Sequence, residues 1–312
     1  MKIVFLDAKT VGDLPELNEF KKLGKLLVYQ TTEDKETIKR IKGATVVITN
    51  KVRITKKIMN ASPDLKFICV AATGMNNIDL EEASRRGIQV RNVKGYSTES
   101  VAQHTFSMLF YIFNHLPFYN KYVQSGKYSR SGMFTFLGKT IYELNGKEFG
   151  VIGMGTIGKR VAEIAAVFGA KVSYYSTSGK NDLSLYPKKS LEELLKESDV
   201  ISIHAPLNDS TRDLIGMKEL KQMKKNAVLV NTGRGGIIVE KDLVKALNQN
   251  IIFSAAVDVY EKEPLPLSHP FLKVMDKERL LLTPHIAWAS LEARRELLRG
   301  VYKNIERFKE EM

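Results

Sequence analysis

Apolar residues recur along this chain in short blocks separated by polar and amphipathic stretches. Residues 3–6, 26–29, 45–49, 65–71 and 88–93 each read as a buried strand, and segments such as 33–42 and 80–86 between them carry helical spacing. The same alternation resumes later, with strands expected at 148–152, 171–175, 200–204, 227–231, 252–257 and 280–283. Apolar blocks too short for helices, alternating with amphipathic segments, predict parallel sheets covered by helices. Two such series in one chain predict two α/β units.

The second series opens on a turn with its own chemistry. The strand ending at Ile152 runs into Gly153-Met154-Gly155-Thr156-Ile157-Gly158, and an amphipathic helix pattern follows over 156–168. Strand, glycine turn, helix and second strand are the parts of a dinucleotide site. Gly153 permits the tight turn, Gly155 lets the backbone approach a pyrophosphate, and Gly158 brings helix and sheet together. The helix N-terminus offers N–H groups to the phosphates.

A long apolar helix over 101–113, preceded by the capping residues Ser97, Thr98, Glu99 and Ser100, is expected to open this cofactor unit. The last segment, 290–312, is helical and follows the unit's final strand. The expected organisation is therefore a substrate domain of residues 1–98 with 290–312, and a dinucleotide-binding domain of residues 99–289 inserted into it, with the substrate in the cleft between them.

Composition narrows the classes without naming a reaction. A 44% apolar and 27% charged chain is ordinary for a globular protein, and no apolar run reaches membrane-helix length. The first residues read as a strand rather than a signal peptide. Cys69, the only cysteine, sits in an apolar run and reads as a buried structural thiol, so a cytoplasmic location is expected. The net charge of +13 is spread along the chain rather than gathered into a stripe, which favours small anionic ligands over nucleic acid.

Three further segments put polar residues directly after an apolar strand, on the edge where open parallel sheets bind ligands. Arg234 stands between glycines in Asn231-Thr232-Gly233-Arg234-Gly235, and its planar fork suits a carboxylate. Asp258 closes a strand of small residues, with Glu263 in the loop beyond; Glu261 reads as a solvated charge. His285 follows Thr283-Pro284, positioned to exchange protons near neutral pH. His104, His115 and His269 take structural readings, and His204 reads as lining the cofactor cleft. No histidine pair has metal-ligand spacing, so no metal site is expected.

With these segments in order, the chain resembles the D-isomer-specific 2-hydroxyacid dehydrogenases over nearly its whole length, most of all their glycerate dehydrogenase and hydroxypyruvate reductase branch. The motifs that carry the resemblance are the glycine turn, His204-Ala205-Pro206-Leu207, the segment around Arg234, Asp258-Val259-Tyr260-Glu261-Lys262-Glu263-Pro264 and Thr283-Pro284-His285. It implies a flavodoxin-like substrate domain with an inserted Rossmann cofactor domain, both doubly wound parallel sheets. It implies hydride transfer from NAD(P)H to a small 2-oxo acid such as hydroxypyruvate or glyoxylate, giving a D-2-hydroxy acid. Arg234, Glu263 and His285 would be catalytic: Arg234 holds the carboxylate, His285 delivers the proton, and Glu263 orients the imidazole and favours its charged form. Thr73, Gly74 and Met75 look like the substrate loop of the first domain. Val101, Thr156, Ile157, His204, Pro206, Thr232 and Asp258 would join the glycines around the cofactor, Asp258 at the nicotinamide carboxamide.

The chain departs from the family pattern at the end of the second strand, where NAD-preferring members carry an acid for the ribose hydroxyls. Here Ser176 stands, followed by Thr177 and Lys180, and the next acid is Asp182. This loop suits a 2′-phosphate, so NADP is expected to serve at least as well as NAD. The resemblance also implies a homodimer formed through the cofactor domains, with the helix over 101–113 and the apolar loop 132–137 taking part. The same fold serves dinucleotide-sensing co-repressors, a binding function that is the alternative to catalysis.

Overall fold

The computed structural model of the chain describes residues 1–180 and 185–312. It divides into two compact units, Met1–Ser97 with Ala289–Met312, and Thr98–Trp288. Every strand in both is parallel to its neighbours.

The first unit has β1 (Lys2–Phe5), β2 (Lys25–Val28), β3 (Val46–Thr49), β4 (Phe67–Val70) and β5 (Gln89–Asn92), with sheet order β2-β1-β3-β4-β5. Its helices are α1 (Asp34–Ile41), α2 (Lys56–Asn60), α3 (Leu80–Arg85) and the C-terminal α11 (Leu291–Glu310). Helix starts follow local chemistry. Glu33 and Glu36 form a reciprocal capping box on α1, Asp79 accepts the N–H of Glu82, and Ser290 accepts that of Ala293. α11 packs on β4, where Phe67 and Phe308 stack at 4.6 Å. Cys69 is fully buried, and burial pushes its thiol up to about 12, consistent with a structural residue. Asp7, two residues past β1, accepts the backbone N–H groups of Asn50, Lys51 and Val52, which fixes the loop leaving β3.

The second unit holds β6 (Glu148–Ile152), β7 (Lys171–Tyr175), β8 (Val200–Ile203), β9 (Val228–Asn231), β10 (Ser254–Val257) and β11 (Leu280–Leu282), in order β11-β10-β9-β8-β6-β7. Lys188 adds one parallel bridge to Tyr174 on the outer edge of β7. With that bridge counted as the third strand of the series, the order runs 3-2-1-4-5-6 and onward, the Rossmann pattern, with its switch point between β6 and β8. The helices are α4 (Thr98–Asn114), α5 (Leu116–Gln124), α6 (Lys127–Ser131), α7 (Thr156–Val167), α8 (Leu191–Glu197), α9 (Met217–Leu220) and α10 (Glu240–Asn248).

Period-two alternation is apolar on both faces of this sheet, as a sheet covered on both sides requires. Ile201, Ile203, Leu229, Ala255 and Val257 face one core with α8 and α10; Phe149, Val151, Val200, Val228, Val230 and Ala256 face the other with α4 and α7. The second core changes one expectation. α4 is apolar because Ala102, Phe106, Leu109 and Phe113 fill its own unit's interior, so those residues are not free to meet a partner. Exposed apolar side chains lie farther on: Met133 is 62%, Phe134 96% and Leu137 82% exposed.

Candidate active site

The glycine turn falls at the switch point. Gly153 has φ +93°, a left-handed value that penalises a side chain, and a Cβ there would lie 2.7 Å from the backbone nitrogen of Ala205. A Cβ on Gly158 would lie 2.1 Å from the Gly153 carbonyl oxygen. Internal packing therefore demands glycine at both. Gly155 differs: it has an ordinary φ of −79°, and a Cβ there would meet nothing within 4 Å. It is exposed at the N-cap of α7, where the first-turn N–H groups of Thr156 and Ile157 have no acceptor within the helix. An open cradle at a helix N-terminus fits a phosphate-bearing cofactor.

At the end of β7, Ser176 is 6% exposed and its hydroxyl has no hydrogen-bond partner among the described residues. A buried hydroxyl is costly without a partner. The atom is covered by protein, so a ligand reaching it displaces what covers it. Thr177 is half-buried, and Lys180 is exposed with its backbone N–H on Ser178 Oγ at 3.3 Å. Asp182 lies outside the described residues.

Along α4 and the loops after β8 and β9, hydroxyl and imidazole groups form one chain. Thr105 Oγ1 lies 3.1 Å from Thr232 Oγ1, which lies 3.4 Å from His204 Nδ1, and His204 Nε2 lies 2.7 Å from Ser202 Oγ. Burial pushes His204 down to about 3, so the ring is neutral near pH 7. Val101 is buried one turn before Thr105 and accepts its hydroxyl through the backbone carbonyl; Pro206 is exposed in the loop beyond His204.

Arg234, Glu263 and His285 follow the C-terminal ends of three neighbouring strands, β9, β10 and β11. Asn231 shapes the first loop, accepting the N–H of Gly233 at 3.0 Å and donating to the carbonyl of Arg234 at 3.0 Å. Arg234 is half-buried, with one guanidinium N–H on the Gly233 carbonyl at 2.8 Å. The glycine after it serves the next loop rather than the arginine: a Cβ on Gly235 would lie 1.9 Å from the carbonyl carbon of Tyr260.

Glu263 and His285 are brought together. Glu263 Oε2 lies 2.7 Å from His285 Nδ1, and Oε1 accepts the N–H of Tyr260 at 3.0 Å. A carboxylate accepts only, so Nδ1 carries a proton and Nε2 is left for other partners. His285 has φ +55°, rare for a residue with a β-carbon, and its N–H bonds the Asp258 carbonyl at 2.8 Å. Asp258 is 0% exposed; its carboxylate accepts Thr283 Oγ1 at 2.6 Å and the N–H groups of Ile286 and Ala287 at 2.9 and 2.8 Å. His104 Nε2 adds to this group, 3.1 Å from Thr283 Oγ1. Burial lowers the pKa of His104 against the pull of Asp258. Asp258, read from sequence as a cofactor ligand, thus has a structural task in this unit. Its signal was the strand end; its partners arrive from a segment about 25 residues away.

The remaining predicted positions belong to the first unit, just past β4. Thr73 is exposed and Gly74 and Met75 are half-buried; Thr73 Oγ1 donates to the Val93 carbonyl at 3.2 Å, and the Met75 carbonyl accepts the N–H of Ile78. Among the described residues, no cluster of three metal-ligating side chains occurs, and no helix is long and apolar enough to cross a membrane.

A parallel-sheet unit with a glycine turn and a strand-end carboxylate–imidazole pair defines a dinucleotide-dependent oxidoreductase. Residues 106–287 match the model of the D-isomer specific 2-hydroxyacid dehydrogenase NAD-binding domain. The hydroxypyruvate reductase of Blautia hydrogenotrophica is 35% identical, covering 99% of this chain and 97% of its own length. The glycerate dehydrogenase of Methylorubrum extorquens is 35% identical over 98% of this chain and 96% of its own. Among solved structures, an acyclic imino acid reductase in complex with NADPH and D-Arg superposes with a TM-score of 0.85 at 32% identity, over 99% of this chain and 97% of that one. The chain belongs to the D-isomer specific 2-hydroxyacid dehydrogenase family, whose members are NAD(P)-dependent oxidoreductases.

The glycines make a prediction with opposite arms. Gly158→Ala should lower the melting temperature, because overpacking of this kind costs about 1–3 kcal/mol. Gly155→Ala should leave the melting temperature unchanged and weaken NADPH binding, followed by fluorescence titration, by roughly tenfold or more, equivalent to ~1.4 kcal/mol.

Proposed function

We propose that this protein reduces small 2-oxo acids of the hydroxypyruvate and glyoxylate type to D-2-hydroxy acids, with Arg234, Glu263 and His285 as its catalytic residues. The observation that carries the reading is the 2.7 Å contact between Glu263 and His285 on adjoining strand ends, with Arg234 on the next strand. The names of the two relatives support the substrate class, and the cradle at Gly155 supports the cofactor.

The bound nicotinamide would supply the hydride. Arg234 pairs with the substrate carboxylate through its planar fork and polarises the adjacent oxo group, an orientation an ammonium could not impose. His285 presents Nε2 to the oxo oxygen and gives up a proton as negative charge develops there. Glu263 holds Nδ1–H, fixing the ring's rotation and tautomer. In the reverse direction the neutral ring takes the hydroxyl proton.

For the cofactor, the reading is that NADPH serves at least as well as NADH. The partnerless Ser176 hydroxyl and the absence of an acid over 176–180 support it, with Lys180 available to a 2′-phosphate. For assembly, the reading is a homodimer in which Met133, Phe134 and Leu137 are covered, since that segment exposes apolar side chains a monomer would leave in water.

Purified protein should consume NADPH with hydroxypyruvate or glyoxylate and form D-glycerate from the former. His285→Ala should cut kcat by about 100- to 10,000-fold with cofactor affinity retained, and Arg234→Ala should raise KM as well as lower kcat. Cofactor binding without turnover of any 2-oxo acid would favour a sensing role, and turnover of imino acids alone would replace the substrate class. Ser176→Asp should move the ratio of kcat/KM for NADPH over NADH at least tenfold towards NADH, about the worth of one charge-assisted contact; an unchanged ratio contradicts the assignment of this loop. Sedimentation velocity at micromolar concentration should give twice the chain mass for wild type and the chain mass for a Phe134→Ser, Leu137→Ser variant, whereas a monomeric wild type refutes the dimer.

A further inference from the structure

The loop that carries Glu263 is exposed from Glu261 to Pro264, yet its carboxylate must hold His285 to within a few tenths of an ångström. Part of the restraint lies outside the trio. Glu240, the first residue of α10, is nearly buried, its side chain 11% exposed. Its Oε1 accepts the backbone N–H of Glu261 at 2.9 Å, and its Oε2 accepts Nε2–H of His269 at 2.8 Å. His269 is 4% exposed, and its Nδ1 accepts the N–H of Phe271 at 3.2 Å, so the proton on Nε2 faces Glu240. Tyr260 closes the arrangement: its ring meets His269 edge-on at 6.0 Å, and its hydroxyl donates to the Thr283 carbonyl at 2.8 Å. Burial first, and then the charges of Asp258, Glu263 and Glu240, push the Tyr260 phenol above its ordinary range, so it stays a donor.

We propose that Glu240 and His269 are positioning residues for the reduction, bracing the Tyr260–Glu263 loop so that Glu263 meets His285 in the productive orientation. The inference rests on the assignment of Glu263 and His285 as catalytic. A carboxylate is required at 240 because two donors converge on two separate oxygens. An amide offers one oxygen, and its NH2 would face either the Glu261 N–H or the His269 Nε2–H. His269 in turn keeps the carboxylate from swinging away from the loop.

The test is Glu240→Gln in the wild-type and Glu263→Ala backgrounds, with His285→Ala alongside, reading kcat, NADPH dissociation constant and melting temperature for each. In the wild-type background kcat should fall about tenfold, with NADPH affinity within about twofold, as expected for a lost orientation rather than a lost binding contact. In the Glu263→Ala background the same substitution should change kcat by no more than about twofold, because the brace has nothing left to position. Equal losses in both backgrounds, tracking a lowered melting temperature, would mean that Glu240 serves folding alone and would overturn the proposal. So would an unchanged kcat while His285→Ala is inactive. If His285→Ala keeps full turnover, the underlying catalytic assignment fails, and the brace falls with it.

Discussion

The turn that carries His285 depends on one buried carboxylate. At 285 the backbone takes a left-handed conformation, which costs a residue with a β-carbon about 1–2 kcal/mol. Asp258 offsets that cost: its carboxylate receives Thr283 Oγ1 and two successive backbone N–H groups beyond the histidine, and its carbonyl receives the N–H of His285. Hydrogen bonds to a charged acceptor contribute about 1.5–3 kcal/mol each. Held this way, the imidazole leaves the end of β11 towards the loop of β10, where Glu263 meets it. Without Asp258 the residue types of the trio would be present but unaimed.

Parallel topology supplies the rest. β9, β10 and β11 are neighbours, so three loops leave the same edge side by side and their chemistry gathers there although it is dispersed in sequence. The contact of Gly235 with the Tyr260 backbone and the Tyr260 hydroxyl on Thr283 join those three loops to one another. At the switch point, the Gly153–Ala205 contact joins the turn after β6 to the loop after β8. Glycine turn and carboxylate–imidazole pair are therefore fixed to one sheet.

Much of this was legible in the chain. The eleven strands among the described residues lie within or beside the apolar blocks that announced them; the central ones, buried on both faces, leave near-continuous apolar runs. Gly153-x-Gly155-x-x-Gly158 gave the turn, although only the structure separates the two glycines demanded by packing from the one left open. Local spacing could not reveal what long-range contacts decide. His269 read as a structural histidine in a proline-flanked loop, and nothing local singled out its partner Glu240; their meeting depends on how α10 sits against that loop. The apolar face of α4 carried a signal that interface and core share, and packing assigned it to the core. The short helices α5 and α6 were not announced by a buried face, since neither buries a residue; the aromatic side chains of α5 meet Phe136 of the following loop instead.

The central claim is that Glu263 holds His285 with its Nδ1 proton engaged and Nε2 free for substrate. Nitrogen-15 NMR of uniformly labelled histidines reports it directly at neutral pH. The account predicts a strongly downfield, hydrogen-bonded proton on Nδ1 of His285 that disappears in Glu263→Ala. A neutral His285 ring carrying its proton on Nε2 alone, in a spectrum insensitive to that substitution, would contradict it.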